Sequence, residues 1–127
     1  MSCEYSIDPE ANLIRLRWTG DFRIERLIEK MGEIAENEDA KPGMNILGDY
    51  REAPWVGEVG EMSDYVDYCE SAREERGSYR SAVLLERAED LDLVAMFDLV
   101  AKQRGLEIET KGFLDEESAL EWLQGGE

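Results

Sequence analysis

The stretch Met44–Met62, MNILGDYREAPWVGEVGEM, decides how this chain folds. It begins with the apolar run Met44–Leu47, turns polar from Gly48 onward, and carries Pro54 and Trp55 ahead of a helical pattern. This order predicts a short buried strand, a long irregular crossover and the start of a helix. Because ligands of α/β domains bind beyond the carboxyl ends of such strands, we expect any binding site to lie here.

The segments on either side alternate between strand and helix patterns. Apolar and polar side chains alternate over 4–8 and 13–19, on either side of a turn that contains Pro9, which predicts an antiparallel hairpin. Later apolar residues recur at helical spacing or form short runs, and Asp115 is placed to cap the last helix. The elements predicted after the hairpin are helix 24–35, strand 44–47, a helix from 62 to near 77, strand 80–86, helix 91–103, strand 106–111 and helix 116–123.

These elements predict the fold class. The order ββαβαβαβα, without a linker or repeat, indicates a single α/β domain over residues 1–127. Strands that alternate with helices are joined by right-handed crossovers. We therefore expect a mixed five-stranded sheet with helices packed against it, in which the first strand is antiparallel and the others are parallel. The pattern leaves the spatial order of the strands open.

The composition excludes several classes of function. The chain has 31 acidic and 14 basic residues, a net charge of −17 at pH 7. Phosphate backbones and anionic lipids are repelled by such a surface, so we expect no nucleic-acid binding and no stable membrane anchoring. Histidine is absent, which removes the commonest general base and most zinc sites. We therefore expect no cofactor and no stoichiometric zinc.

Cysteine usage bears on the compartment. Cys3 and Cys69 lie far apart and have no CxxC spacing, and the N-terminus carries no secretory signal. These features predict free thiols in a cytoplasmic protein, although the spacing leaves a bridge between the two open. No apolar run approaches the length of a membrane span.

Three segments together resemble a known family. The opening hairpin, the segment NILGDYREA at 45–53 and the closing segment FLDEESALEWL at 113–123 are similar to the SpoIIAA-like branch of the STAS superfamily. The resemblance spans nearly the whole chain. It implies a STAS-like α/β domain with a non-enzymatic binding or regulatory role of the bacterial type.

Some members of the superfamily that this chain resembles are anti-sigma-factor antagonists, in which a serine after the third strand is phosphorylated within an Asp-Ser-Ser-Gly-like run. The corresponding segment here is GEVGEMSDY, and its one serine is Ser63. Glu58, Glu61 and Asp64 surround Ser63 and would repel a phosphate. We therefore expect Ser63 to be a first-turn or capping residue of the helix that is not phosphorylated, and a phosphorylation-switched antagonist is the weaker alternative.

The candidate site lies in and after the third strand. We interpret Asp49 and Arg51 as an ion pair at the strand end, and Trp18 and Trp122 as core residues. Trp55 differs because it lies in a loop among other large apolar residues, where it either covers an edge of the core, closes an apolar pocket or docks a partner. The candidate ligand- or partner-binding residues are Asp49, Tyr50, Arg51, Trp55, Val59, Met62 and Tyr65.

Three functional hypotheses follow. The first is a module that binds a partner protein or forms a homodimer. The second is a carrier or sensor of a small apolar ligand held under the Trp55 loop. The third, an enzyme that uses carboxylates and tyrosines, is the weakest because the acidic clusters show no catalytic or metal-binding spacing. An enclosed apolar cavity under the loop would favour the second hypothesis, and an exposed flat patch would favour the first.

Overall fold

The computed structural model describes residues 2–55, 58 and 60–125. These residues form strands and helices in the predicted order ββαβαβαβα. The strands are β1 (Ser2–Asp8), β2 (Leu13–Thr19), β3 (Asn45–Glu52), β4 (Tyr79–Leu84) and β5 (Ile108–Phe113). The α-helices are α1 (Ile24–Ala35), α2 (Glu61–Arg76), α3 (Leu91–Gln103) and α4 (Glu116–Leu123), with a 3-10 turn at Ala88–Asp90 before α3.

The strands form one mixed sheet in the order β1-β2-β3-β4-β5. β1 is antiparallel to β2, and the pairs from β2 to β5 are parallel. The predicted fold class and strand directions are therefore confirmed. Because consecutive parallel neighbours are joined by crossovers of one hand, α1, α2 and α3 lie on the same face of the sheet. The fourth helix, α4, packs on the opposite face.

Each face of the sheet has its own apolar core. Ile14, Leu16 and Trp18 of β2 are buried against the layer of α1, α2 and α3. Leu13, from the same strand, and Leu47 of β3 are buried against α4. Successive side chains of a strand point to opposite faces, so each central strand contributes to both cores. The larger core lies under three helices, and the smaller one, within the described part of the chain, lies under α4.

The third strand, β3, extends beyond the apolar run Met44–Leu47 from which it was predicted. It continues to Glu52, within the segment 45–53 that resembles the SpoIIAA-like branch. Gly48 pairs with Leu16 on one side and with Val83 on the other, so the hydrogen-bonded ladder runs through the polar segment. A central strand is held by two neighbours, and this outweighs the weak strand propensity of glycine and aspartate. The other predicted element ends lie within two residues of those observed.

Helix α4 is held by side chains from three places. Asp115 caps it as predicted, since its Oδ1 accepts a hydrogen bond from the Ser118 N–H at 2.8 Å. Asn45 donates its side-chain N–H to the Leu123 carbonyl at 3.0 Å. Arg80 lies 5.0 Å from the Trp122 ring centroid and donates a hydrogen bond to the carbonyl of that residue. These contacts tie a helix of two turns to β3 and β4.

The membrane and cysteine expectations can be compared with the structure. In the part of the chain that the structure describes, no helix combines the length and apolar character that crossing a bilayer requires.

Cys3 and Cys69 are free thiols, as predicted. Burial raises the pKa of each to about 11, so both thiols are protonated at neutral pH. A protonated thiol is a poor nucleophile.

One charged side chain is buried at the end of α2. Arg76 is 5% exposed, and its guanidinium lies 5.1 Å from the centroid of the Tyr79 ring. Its Nε and Nη2 atoms have no hydrogen-bond partner within the described ranges. Desolvating a cation costs several kcal/mol, whereas a cation–π contact returns about 2 kcal/mol when desolvated. We therefore expect the charge at this position to carry a net cost.

We expect Arg76→Met to raise the free energy of unfolding by about 1 kcal/mol, because an apolar side chain of similar length fills the same space without a buried charge. Urea melts in about 0.5 M NaCl provide the measurement, since salt screens the change in net charge. The control, Arg76→Ala, should lower stability because it leaves a cavity. A loss of stability in Arg76→Met would show that the contact with Tyr79 outweighs desolvation.

Candidate functional site

An apolar cavity of about 530 Å³ lies between the sheet and helices α1, α2 and α3. Residues of β3 and β4, and of the segments that follow these strands, form part of its wall. The cavity is thus found at the carboxyl ends of parallel strands, where α/β domains bind their ligands. The helices contribute mainly hydrocarbon and aromatic side chains, among them Leu27, Met31, Met62, Val94 and Phe97.

Small residues on the strands leave room beneath the helices. Gly48 of β3 and Ser81 of β4 both line the cavity. A Cβ atom at Gly48 would lie 2.7 Å from Cε1 of Tyr50, so the tyrosine ring lies across the glycine. Interiors are close-packed where large side chains meet, with few voids larger than a water molecule. Gly48 therefore makes room for the Tyr50 ring, and Ser81 on the neighbouring strand adds a small side chain to the cavity wall.

Trp55 forms one wall of the cavity and is held by backbone contacts. The Phe22 N–H donates to the Pro54 carbonyl at 2.9 Å, and the Gly20 N–H donates to the Glu52 carbonyl at 3.0 Å. Phe22 and Trp55 also form an isolated parallel bridge. The Trp55 side chain is partly buried and packs against the larger core while lining the cavity. It therefore combines two of the predicted alternatives, core cover and pocket wall.

The aromatic wall around Tyr50 and Tyr65 is closely packed. The Tyr50 ring meets the Phe22 ring edge to face at 4.9 Å and stacks on Trp18 at 6.4 Å. The Tyr65 ring lies 5.5 Å from that of Phe97. Burial raises the pKa of both tyrosine hydroxyls above the usual range. These hydroxyls therefore stay protonated and uncharged at any physiological pH.

Charged residues at the edge of the cavity are paired with one another. Arg51 donates to Asp49 through Nε at 3.0 Å and through Nη2 at 2.8 Å, and these bonds hold the pKa of Asp49 below its usual value. Arg87 donates to Asp90 from Nε at 3.2 Å and from Nη2 at 3.3 Å. The described ranges contain no group of three or more His, Cys, Asp or Glu side chains arranged to hold a metal ion.

Comparison with solved structures identifies the fold. An uncharacterized DUF3478-family protein from Shewanella loihica PV-4, described as having a SpoIIAA-like fold, matches this chain with a TM-score of 0.62. The match covers 95% of this chain and 93% of that one, at 17% sequence identity. This chain has a SpoIIAA-like fold. No protein-family model and no curated protein matches the sequence, so the comparisons establish the fold and leave the function to the site.

On this SpoIIAA-like fold, the predicted site residues fall into three groups. Asp49 is not among the described lining residues, but it forms the expected pair with Arg51. Val59 lies outside the described residues. Ser63 is exposed in the first turn of α2, where its hydroxyl donates to the Gly60 carbonyl at 3.0 Å. The structure brings the remaining predicted residues together around the cavity: Tyr50, Arg51, Trp55, Met62 and Tyr65.

Sequence reasoning missed the other walls of the cavity. Met31 of α1 and Phe97 of α3 were identified only as members of amphipathic stripes, and a stripe does not distinguish a packed side chain from one beside a void. The sequence did contain a signal for Arg87 and Asp90 as cavity residues. They follow the carboxyl end of β4, and the rule that directed attention to the end of β3 applies equally there.

Proposed function

We propose that this chain binds an apolar small molecule in the cavity beside Trp55 and acts as a carrier or sensor of it. The observation that carries the proposal is the cavity itself, with a volume of about 530 Å³ and walls made largely of hydrocarbon and aromatic groups. Ligand pockets have volumes of roughly 300–1,000 Å³ and are lined in the same manner. The cavity is partly open to solvent, so it lies between the enclosed pocket that would favour ligand binding and the flat patch that would favour partner docking.

Packing supports the same proposal. Unfilled apolar volume costs stability, because the atoms around it lose contacts that they would make in a close-packed core. The neighbouring rings of Trp18, Phe22 and Tyr50 are closely packed on one side of the cavity. A bound apolar molecule would restore the missing contacts and contribute stability in proportion to its occupancy.

The chemistry of the wall favours binding over catalysis. The hydroxyls of Tyr50 and Tyr65 have pKa values raised by burial. A general acid or base works best when its pKa lies near the working pH. The two arginines that line the described part of the cavity, Arg51 and Arg87, are held in ion pairs. We therefore propose a non-enzymatic role.

Two measurements test the proposal. Native mass spectrometry of freshly purified protein should show a species heavier than the chain by the mass of one small organic molecule. Titration with Nile red, an uncharged dye that fluoresces in apolar surroundings, should saturate at one dye per chain once the protein has been stripped of bound molecules. Absence of both the added mass and the saturable dye signal would contradict ligand binding.

We expect Trp55→Ala to weaken Nile red binding roughly tenfold, because the indole provides one wall of the cavity and its loss removes about 60 Å² of apolar contact. Fluorescence titration measures the affinity. Leu99→Ala is the control, since Leu99 is 58% exposed on α3 and lies outside the described cavity wall. Equal dye affinity in Trp55→Ala and the unaltered protein would remove Trp55 from the proposed site.

A second candidate function, docking of a partner protein or a second copy, is supported by α3. Met96 and Leu99 are 37% and 58% exposed, and their spacing of three puts them on the same side of the helix. The subunit number from native mass spectrometry tests self-association directly. We expect Leu99→Glu to shift any dimer to monomer, and a dimer that persists would place the contact elsewhere.

A further inference from the structure

The cationic side chains at the cavity bear on which ligands it accepts. Arg51 and Arg87 are the two basic residues among the described residues that line it. A free guanidinium at the mouth of an apolar cavity would pair with a ligand carboxylate through two parallel hydrogen bonds. The charge class of the ligand therefore depends on whether these two arginines are available.

Both arginines are occupied by carboxylates of the chain itself. Arg51 is held by two hydrogen bonds from its guanidinium to Asp49. The Arg87 guanidinium likewise donates two hydrogen bonds to Asp90. It also lies 3.6 Å from a carboxylate oxygen of Glu89. An incoming carboxylate would have to displace an intramolecular partner that is already in place.

The remaining charges repel anions. Glu86 also lines the cavity, and the start of α3, whose dipole would attract an anion, carries Asp90 and Asp92. The described lining residues carry two guanidiniums and two carboxylates, those of Glu86 and Asp90. The carboxylates of Asp49 and Glu89, which pair with these arginines from outside the lining, bring the local charge to −2. The whole chain has a charge of −17, so an anion meets a repulsive field throughout its approach.

We propose that the cavity accepts uncharged apolar molecules and rejects carboxylates of the same size, and that Asp90 enforces this selectivity by holding Arg87. The inference rests on the proposed ligand-binding function and adds the charge class of the ligand. Asp90 acts here as a specificity residue. It lines the cavity beside Arg87, and its pairing turns a potential anion anchor into a neutral part of the rim.

The test uses two naphthalenes that are nearly identical in shape. 2-Acetylnaphthalene is uncharged, and 2-naphthoate has a carboxylate in place of the acetyl group. Each competes with Nile red at pH 7 and low ionic strength. We expect the ketone to bind roughly tenfold more tightly than the carboxylate, and we expect the ratio to fall in about 0.5 M NaCl because salt screens the repulsion.

Matched variants separate Asp90 from net charge. Asp90→Asn keeps the shape of the side chain and removes one of the two carboxylates that pair with Arg87, the other being that of Glu89. Naphthoate affinity should therefore rise roughly threefold while ketone affinity stays unchanged. Asp67→Asn produces the same change in net charge at α2, where Asp67 pairs with Arg104 away from the described cavity wall. It should leave the ratio unaltered. Adding Arg87→Gln to Asp90→Asn should abolish the gain.

The outcomes distinguish this inference from the function on which it rests. If neither naphthalene displaces Nile red and the dye itself does not bind, ligand binding is wrong and the inference falls with it. If both naphthalenes bind with equal affinity, the cavity is a binding site without charge selection. If Asp67→Asn improves naphthoate binding as much as Asp90→Asn does, net charge sets the selectivity and the role of Asp90 is overturned.

Discussion

Trp122→Ala is expected to lower the free energy of unfolding by about 3–5 kcal/mol, the usual cost of truncating a buried tryptophan. Trp122 is 8% exposed and lies in the smaller core, 5.6 Å from Phe113 between ring centroids. The Arg80 guanidinium also lies over the Trp122 ring in a cation–π contact. Among the described residues, α4 is the helix that packs on this face of the sheet, so we expect the space that the indole leaves to stay largely unfilled.

Urea melts followed by circular dichroism measure this loss, and an unchanged dependence on urea would show that both proteins unfold in the same two-state manner. Trp55→Ala is the matched comparison. Its indole is only partly buried, and we expect it to cost less than half as much as Trp122→Ala. Equal losses would show that Trp55 is primarily a core residue and would weaken its assignment to a ligand site.

Val83→Trp is expected to weaken Nile red binding by more than roughly tenfold, since the new indole would occupy the cavity that we assign to the ligand. Val83 lies on β4 and lines the cavity. Inserting a large side chain into a packed core usually costs about 1–3 kcal/mol. Here the existing void accommodates the ring, so we expect stability to change by less than about 1 kcal/mol.

Dye titration and urea melts on the same preparation measure both effects. Leu99→Trp is the control, because it adds the same side chain at an exposed position of α3 outside the described cavity wall. It should leave dye affinity unchanged. A Val83→Trp protein that is folded and binds Nile red normally would show that the dye site is not this cavity.

The predicted part of the site came from one local rule. A buried strand followed by a polar turn identified the end of β3, and Tyr50, Arg51 and Trp55 lie there in sequence. The same rule was not applied to the end of β4, so Arg87 and Asp90 were missed. Residues such as Met31 and Phe97 could not be found by any local rule, because they reach the cavity from helices distant in sequence.

The sequence by itself determined the number, type and order of the elements, the direction of each strand and the resemblance to the SpoIIAA-like fold. Periodicity is local, because a helix or a strand buries a face that repeats every few residues. The tertiary structure alone decided the strand order β1-β2-β3-β4-β5, the separation into two cores and the cavity beside Trp55. A cavity is the volume left between packed elements. Its size depends on how far Gly48 and Ser81 lie from the helices above them. No pattern of residues along the chain specifies that distance.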